Sequence, residues 1–193
     1  MGVIDVILLA AGRSSRLGQP KALVDVDGRP LIQRLMNRLN QLHTEVTVVT
    51  NTDLLADIML LCPSAHVVLN PDPEKGRTGS VQCGLASILE RNGRLPKKVL
   101  LVPVDRPGWS VKLVSSILES ETSICPVWNN RGGHPLLMVG DDVTTVYLAE
   151  GDAPLSSLVQ RTPLPVDFPW LHLNIDTEDN LDDLIRASKE DWF

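Results

Sequence analysis

Short apolar runs alternate with amphipathic, helix-like segments along this chain, and the alternation constrains its fold more than any other feature. Apolar runs predict strands at residues 3–9, 45–50, 66–69, 97–102, 124–127, 135–139 and 171–175. Helical periodicity predicts helices at residues 30–42, 54–61, 78–90, 110–120 and 178–188. Continuous apolar strands separated by helices are typical of a mostly parallel sheet covered on both faces. The sequence therefore predicts an α/β fold.

The bulk properties indicate one domain over residues 1–193, because we find no linker, repeat or low-complexity stretch. The proline-rich segment 162–170 is expected to be a surface loop. A net charge of −6 argues against nucleic acid as a partner. Three cysteines without C-x-x-C spacing argue against a disulfide framework or a zinc site. We find neither a signal peptide nor a membrane-spanning segment, and expect a cytoplasmic protein with no membrane partner.

The segment LAAGRSSRLGQPK, residues 9–21, follows the first predicted strand and combines two glycines with three cations. Glycine lets backbone N–H groups approach a ligand closely, and consecutive N–H groups form an anion site. Its spacing matches neither the phosphate loop of ATPases nor the dinucleotide fingerprint. An ordinary basic connection between elements is the alternative, but the density of cations after a strand favours phosphate binding.

Polar residues follow several predicted strands, among them Asn51, Asn70 and Asp105. The carboxyl ends of parallel strands meet at one edge of a sheet, near the point where the strand order reverses, so these residues are expected to gather there. Mg²⁺ often uses only one or two carboxylates together with substrate phosphates. Asp105 is therefore the best candidate for a metal ligand, although it could instead cap the following helix.

The loop pattern L-A-A-G-x-S-x-R-x-G-x-x-K continues through Ala22-Leu23 and Asp27-Gly28-Arg29-Pro30-Leu31. This pattern resembles the signature of nucleotidyltransferases that act on molybdenum cofactor precursors. Their superfamily includes sugar-phosphate and methylerythritol-phosphate nucleotidyltransferases. The resemblance implies a Rossmann-like three-layer sandwich with a mostly parallel mixed sheet, of the nucleotide-diphospho-sugar transferase type. It also implies that the loop wraps the triphosphate of an NTP through Leu9, Ala10, Ala11, Gly12, Arg13 and Lys21.

Other segments extend the resemblance to further site residues. The family carries a Mg²⁺-binding aspartate in a D-x-P segment, matched by Asp105, and a second aspartate in I-D-T-x-E-D-L, matched by Asp176. Asp176 could also be only a cap of the last helix. Ser80 matches a G-x-x-x-S segment that lies near the base and ribose. Asn51 and Asp72 match polar positions more loosely, and turn chemistry is their alternative role.

The segment Gly132-Gly133-His134-Pro135 resembles the G-H-P-V-L-F segment of the branch that transfers CMP to molybdopterin. The resemblance implies that His134 contacts the acceptor and that CTP is the preferred donor. Because an unperturbed histidine titrates near neutrality, we expect His134 to donate a hydrogen bond to the acceptor phosphate or pterin.

These observations predict an enzyme that moves an NMP from an NTP to a phosphorylated small-molecule acceptor, identified as molybdopterin by resemblance, and releases pyrophosphate. Lys21 and Arg16 would offset phosphate charge, and Mg²⁺ would be the cofactor. The NTP is CTP or GTP, and a molybdoenzyme or its maturation chaperone is a possible protein partner. One alternative is a sugar-phosphate or polyol-phosphate nucleotidyltransferase. Another is a non-catalytic nucleotide-binding protein that serves cofactor insertion.

Overall fold

The computed structural model describes residues 3–193. The strands are β1 (Ile4–Ala10), β2 (Asp25–Val26), β3 (Arg29–Pro30), β4 (Thr44–Thr50), β5 (His66–Leu69), β6 (Lys98–Pro103), β7 (Ile124–Trp128), β8 (Arg131–Gly132), β9 (Leu136–Val139) and β10 (Thr162–Pro165). The α-helices are α1 (Leu31–Leu39), α2 (Leu55–Leu61), α3 (Arg77–Asn92), α4 (Val111–Leu118), α5 (Asp141–Leu148), α6 (Leu155–Leu158) and α7 (Asp179–Ala187).

The main sheet has the order β5-β4-β1-β6-β9-β7-β10, and β8 adds to β7. Strands β5, β4, β1 and β6 are parallel, and β10 pairs in parallel with β7. Within the part of the chain that the structure describes, β9 and the short β8 are the only strands of this sheet that run antiparallel to all the others. The predicted mixed, mostly parallel sheet is therefore confirmed.

Alternate residues of β1 enter two separate hydrophobic cores, one on each face of the sheet. Val6 and Leu8 pack with buried residues of α1, α2, α4 and α7, whereas Ile7 packs with α3 and α5. Both sets are fully buried, because a central parallel strand has no face left for water. The arrangement confirms the three-layer α/β sandwich.

The strand order reverses at β1, which fixes where a ligand can bind. The chain runs from β1 to β4 and β5 on one side, then returns to β6 on the other side of β1. The loop after β1 and the loop after β6 therefore diverge from adjacent strand ends and leave a crevice between them.

Two predicted elements are wrong. Residues 171–175 do not form a strand: Pro169–His172 is a 3₁₀ turn, and the alternating Leu171, Leu173 and Ile175 are buried against the core without a sheet partner. Thr162–Pro165 is a strand rather than a loop, because its prolines lie on an edge strand where missing N–H groups do little harm. No helix among residues 3–193 has the length and apolar character needed to cross a bilayer.

Candidate active site

A cavity of about 270 Å³ opens between the ends of β1 and β6. Seven of the residues predicted from the sequence line it: Leu9, Ala10, Ala11, Gly12, Lys21, Ser80 and Asp105. Residues from the α3 side, including Gly76 and Arg77, complete the wall. The structure therefore brings the glycine-rich loop and the strand-end acid to one place, at the crevice where the strand order reverses.

The loop after β1 leaves its backbone N–H groups available. Among the described residues, the N–H groups of residues 12–16 donate to no protein acceptor. Ser14 has a positive φ of 53°, and its Oγ accepts a hydrogen bond of 3.0 Å from the Lys21 N–H. A β-carbon at Gly12 would meet no atom within 4 Å, so the space above this glycine is open. A turn of unpaired N–H groups of this kind suits an anion.

Lys21 lies between the two aspartates that the sequence singles out. Its Nζ is 2.5 Å from Oδ1 of Asp176 and 3.4 Å from Oδ2 of Asp105. The side chains of Lys21, Asp105 and Asp176 are 15, 21 and 26% exposed. Arg16 is more exposed, with Nη2 3.9 Å from Oδ2 of Asp176. One cation therefore already contacts both carboxylates.

The segment before α7 places Asp176 through several hydrogen bonds. The Ile175 N–H donates to the carbonyl oxygen of Asp105 at 2.9 Å, which links the two acidic segments directly. Asn174 Nδ2 donates to Oδ2 of Asp176 at 2.6 Å. The hydrogen bond from Lys21, followed by that from Asn174, lowers the pKa of Asp176 to about 2. Asp176 is therefore ionised throughout the physiological range.

Neither aspartate caps a helix, which answers the alternative left open by the sequence. The cap of α4 is Ser110, whose Oγ accepts from the Leu113 N–H at 3.1 Å. The carboxylate of Asp176 makes no hydrogen bond to the backbone of α7. Asn180 instead accepts from the N–H groups of Asp176 and Thr177 with its side-chain oxygen. Both carboxylates are thus directed at Lys21 rather than at a helix end.

The donor set fits a magnesium ion that is completed by phosphate oxygens. No cluster of three or more His, Cys, Asp or Glu side chains that could hold a metal ion occurs within residues 3–193. Mg²⁺ does not require such a cluster, since one or two carboxylates plus substrate phosphates are its usual ligands. Asp105 supplies hard oxygen atoms to the cavity lined by the phosphate-type loop, and Asp176, which does not line the cavity, contacts the same Lys21. They are the residues that would hold the ion.

The remaining nucleotide-site candidates differ in their surroundings. Ser80 lines the cavity, and its Oγ accepts from Asn70 Nδ2 at 2.9 Å. Asn51 is buried beside the loop, where its amide donates to the Ala11 carbonyl and its oxygen accepts from the Leu54 N–H. Since both ends of its side chain are used, Asn51 is placed to hold the loop in position.

Asp72 and Arg13 do not line the cavity. Asp72 pairs with Lys75 at 3.0 Å, and Arg13 forms an exposed ion pair with Glu74. The Arg13–Glu74 pair joins the loop after β1 to the turn before α3. Their contacts with a nucleotide stay predictions, and so does that of Asn51.

His134 lies in a second cavity, of about 290 Å³, next to the first. Burial, and then the charges of Arg77, Arg106 and Arg161, lower the pKa of His134 to about 3. The expected titration near neutrality is therefore wrong: His134 is uncharged at neutral pH, although a neutral imidazole still carries one donor. Its role in acceptor binding stays a prediction.

Sequence reasoning missed several residues of this region, among them Arg161, which lines the second cavity. Arg77 lines both cavities, and Arg106 follows Asp105 directly. The rule that polar residues after buried strands gather at one sheet edge applies to Arg106 as much as to Asp105. Asn174 and Asn180 form hydrogen bonds with residues a few positions away, and no local sequence pattern predicts these hydrogen bonds.

An open, mixed sheet with a phosphate-type loop and two acids at its reversal point defines an α/β nucleotide-binding protein. Solved structures share the fold. Rv0371c from Mycobacterium tuberculosis superposes with a TM-score of 0.80 at 21% identity, over 95% of this chain and 98% of that one. Its complex with manganese gives a TM-score of 0.77 at 18% identity, over 96 and 99%. Molybdopterin-guanine dinucleotide biosynthesis protein A from Archaeoglobus fulgidus gives 0.69 at 16% identity, over 95 and 98%.

The family model for the MobA-like NTP transferase domain matches residues 6–166. The chain belongs to this family and is a nucleotidyltransferase, as the resemblance of the loop implied. It is 29% identical over 204 residues to a molybdenum cofactor guanylyltransferase of Rhizobium rhizogenes, covering 96% of this chain and 91% of that protein. It is 41% identical over 185 residues to one of Vibrio atlanticus, covering 81 and 90%. A molybdenum cofactor cytidylyltransferase of Escherichia coli is 26% identical over 145 residues, covering 72 and 71%.

Proposed function

We propose that this protein transfers an NMP from an NTP to the phosphate of molybdopterin and releases pyrophosphate. The observation that carries the proposal is the convergence of the free N–H groups of residues 12–16 with Lys21 and Asp105 around one cavity. The names of the related guanylyl- and cytidylyltransferases support molybdopterin as the acceptor.

The chain's own residues would act by positioning and by stabilising charge. The N–H groups of residues 12–16 would bind the β- and γ-phosphates. This binding would hold the α-phosphorus at the crevice. Lys21 and Arg16 would offset the negative charge that grows on the leaving pyrophosphate. No side chain needs to become covalently attached to the nucleotide.

Mg²⁺ is the proposed cofactor, with Asp105 and Asp176 as its protein ligands. When bound, the ion would neutralise phosphate charge as a Lewis acid. The manganese complex of the structurally similar Rv0371c supports a divalent cation in this fold. Asp176 suits this role because the low pKa of its carboxyl keeps it ionised.

The related proteins differ from one another in the base of the nucleotide donor that their names indicate. The Gly133-His134-Pro135 segment predicts CTP, whereas the names of the R. rhizogenes and V. atlanticus relatives point to GTP. We keep CTP as the prediction from the segment. Competition between CTP and GTP at equal concentration decides between the two, because the specificity is the ratio of their kcat/KM values.

The proposal also includes a cytoplasmic location, a single domain over residues 1–193 and association with a molybdoenzyme or its chaperone.

A pyrophosphate-release assay with Mg²⁺ and each of the four NTPs tests the proposed reaction. The acceptor is anaerobic molybdopterin, a sugar phosphate or a polyol phosphate. The proposal requires release with molybdopterin and with CTP or GTP. Release with a sugar phosphate alone would favour the other branch of the superfamily. Tight NTP binding without release on any acceptor would favour a non-catalytic nucleotide-binding protein.

A further inference from the structure

We propose that three arginines around His134 bind the phosphate monoester of the acceptor. The three are Arg77, Arg106 and Arg161. The assignment of the bound phosphate to an acceptor rests on the proposed function, whereas the existence of an anion subsite rests on the geometry below. Neither the family signature nor the predictions made from the sequence included any of these arginines.

The second cavity is placed to receive an acceptor. Arg77, His134 and Arg161 line its wall, and Asp152 is its one carboxylate among the described residues. Arg77 also lines the cavity under the glycine-rich loop, so this side chain borders both spaces. A group bound beside His134 would therefore lie next to a nucleotide bound beside the loop.

None of the three arginines, Arg77, Arg106 and Arg161, forms an ion pair with a carboxylate in the described residues. Within residues 3–193, Asp152 makes no ion pair either. The cations of the loop differ, since Arg13, Arg16 and Lys21 all lie within 4 Å of a carboxylate. A cluster of guanidinium groups without ion pairs beside a cavity attracts a multiply charged anion.

Two buried nitrogen atoms in this cluster lack a hydrogen-bond partner. They are Nδ1 of His134 and Nε of Arg106. Buried polar atoms are nearly always paired, so the unpaired nitrogen of His134, which lines the second cavity, indicates that a ligand completes the hydrogen bonding. The polar partner that both nitrogens can use is an oxygen-rich anion.

Arg106 joins the cluster to the acidic pair. Burial lowers the pKa of His134, and the charges of Arg77, Arg106 and Arg161 lower it further, so Arg106 acts on the same imidazole as the other two arginines. Arg106 follows Asp105 directly in the sequence, and Asp105 lines the first cavity, so Arg106 lies beside the predicted metal ligand.

The chemistry explains why guanidinium groups are needed at this place. A phosphate monoester has a second pKa near 6 and is largely a dianion at neutral pH. One of its oxygens would form a bond to the α-phosphorus while the bond from that phosphorus to the β-bridging oxygen breaks, and pyrophosphate leaves with the electron pair. No proton has to be removed from the dianion. The arginines would reduce the repulsion between two anions that must come into contact.

The first test separates acceptor binding from nucleotide binding. Arg106→Gln and Arg161→Gln are each expected to raise the KM for molybdopterin by about tenfold or more, the scale of a lost charge-assisted hydrogen bond, while the KM for the NTP stays the same. Arg106→Lys keeps the charge and should recover part of the loss. Arg94→Gln is the matched control, because this exposed arginine lies at the opposite end of the sheet beside Lys97. An equal rise in the KM for the NTP would overturn the assignment.

The second test does not depend on turnover. Inorganic phosphate is titrated into the ¹⁵N-histidine-labelled protein while the side-chain resonances of His134 are followed by NMR. A saturable shift in the wild type and in Arg94→Gln, lost in Arg106→Gln and Arg161→Gln, supports the subsite. No shift, or a shift that survives both substitutions, overturns it. If the shift occurs as expected but no acceptor is used in the pyrophosphate assay, the proposed function fails and the anion subsite stands.

Discussion

Lys21 Nζ lies 2.5 Å from Oδ1 of Asp176, and the same ammonium is 3.4 Å from Oδ2 of Asp105. The lysine therefore supplies positive charge to both acids. If Asp105 and Asp176 hold a metal ion, as we propose, Lys21 would be able to contact the phosphates of a nucleotide instead.

Replacing Lys21 by alanine should abolish turnover while the fold remains. Loss of a preorganised cation typically lowers the rate by ~10²–10³-fold. The pyrophosphate assay measures the rate, and circular dichroism reports the fold. Lys98→Ala is the control, because Lys98 pairs with Glu121 outside the loop cavity. A normal rate in Lys21→Ala would remove this lysine from the mechanism.

Asp176→Asn should change how stability depends on acid. The folded pKa of Asp176 is about 2, below the ordinary 3.8, so its ionised form stabilises the folded state. That contribution is complete above the ordinary pKa and disappears as the pH falls toward about 2. Urea unfolding from pH 5 to pH 2 should therefore show a shallower loss of stability in Asp176→Asn than in the wild type. Identical slopes would mean that the contact with Lys21 does not stabilise the fold in solution.

His134 should make the protein sensitive to acid in a higher pH range. Its folded pKa is about 3, whereas an unfolded histidine titrates near 6.5, so the unfolded chain takes up a proton first. The stability that the neutral His134 contributes is complete above about pH 6.5 and decreases as the pH falls toward 3. His134→Gln should lack this part of the decrease, while His43→Gln, at an exposed histidine, should behave as the wild type. The free energy of unfolding at pH 7 and at pH 4.5 provides the comparison.

Gly12→Val should separate folding from nucleotide binding. A β-carbon at Gly12 meets no atom within 4 Å and its φ is not positive, so the thermal midpoint should stay near that of the wild type. The added side chain would occupy the space where the phosphates are proposed to lie. We expect NTP binding, measured by calorimetry, to be lost. Unchanged NTP affinity in a folded Gly12→Val protein would place the phosphates elsewhere.

Local patterns were sufficient for the parts of the fold that are buried and continuous. The apolar runs around β1, β4 and β6 predicted the central parallel strands, because a strand covered on both faces has no polar side to show. The segment 171–175 alternates apolar with polar residues as a half-buried strand does, but its apolar side chains pack onto the core from a 3₁₀ turn and an extended loop. A buried segment that does not pair with another strand therefore shows the same sequence pattern as a strand.

The sequence predicted those site residues whose position is determined by the end of a single strand. Asp105 and the loop after β1 follow adjacent parallel strands, so the topology alone brings them together. The role of Asp176 depends on a hydrogen bond between the Ile175 N–H and the Asp105 carbonyl, which joins segments 70 positions apart in the sequence. The low pKa of His134 arises from burial and then from arginines on three different segments. Only the folded chain shows such long-range contacts.

We propose that the glycine-rich loop and the two aspartates bind one metal–triphosphate. A crystal structure with Mn²⁺ and a non-hydrolysable CTP or GTP analogue tests it directly, since the anomalous signal of manganese locates the metal. We expect manganese between Asp105 and Asp176, phosphates on the N–H groups of residues 12–16, and the Lys21 ammonium moved from Asp176 to a phosphate oxygen. Nucleotide bound away from this cavity, with Lys21 still paired to Asp176, would show that the loop and the two aspartates do not form one site.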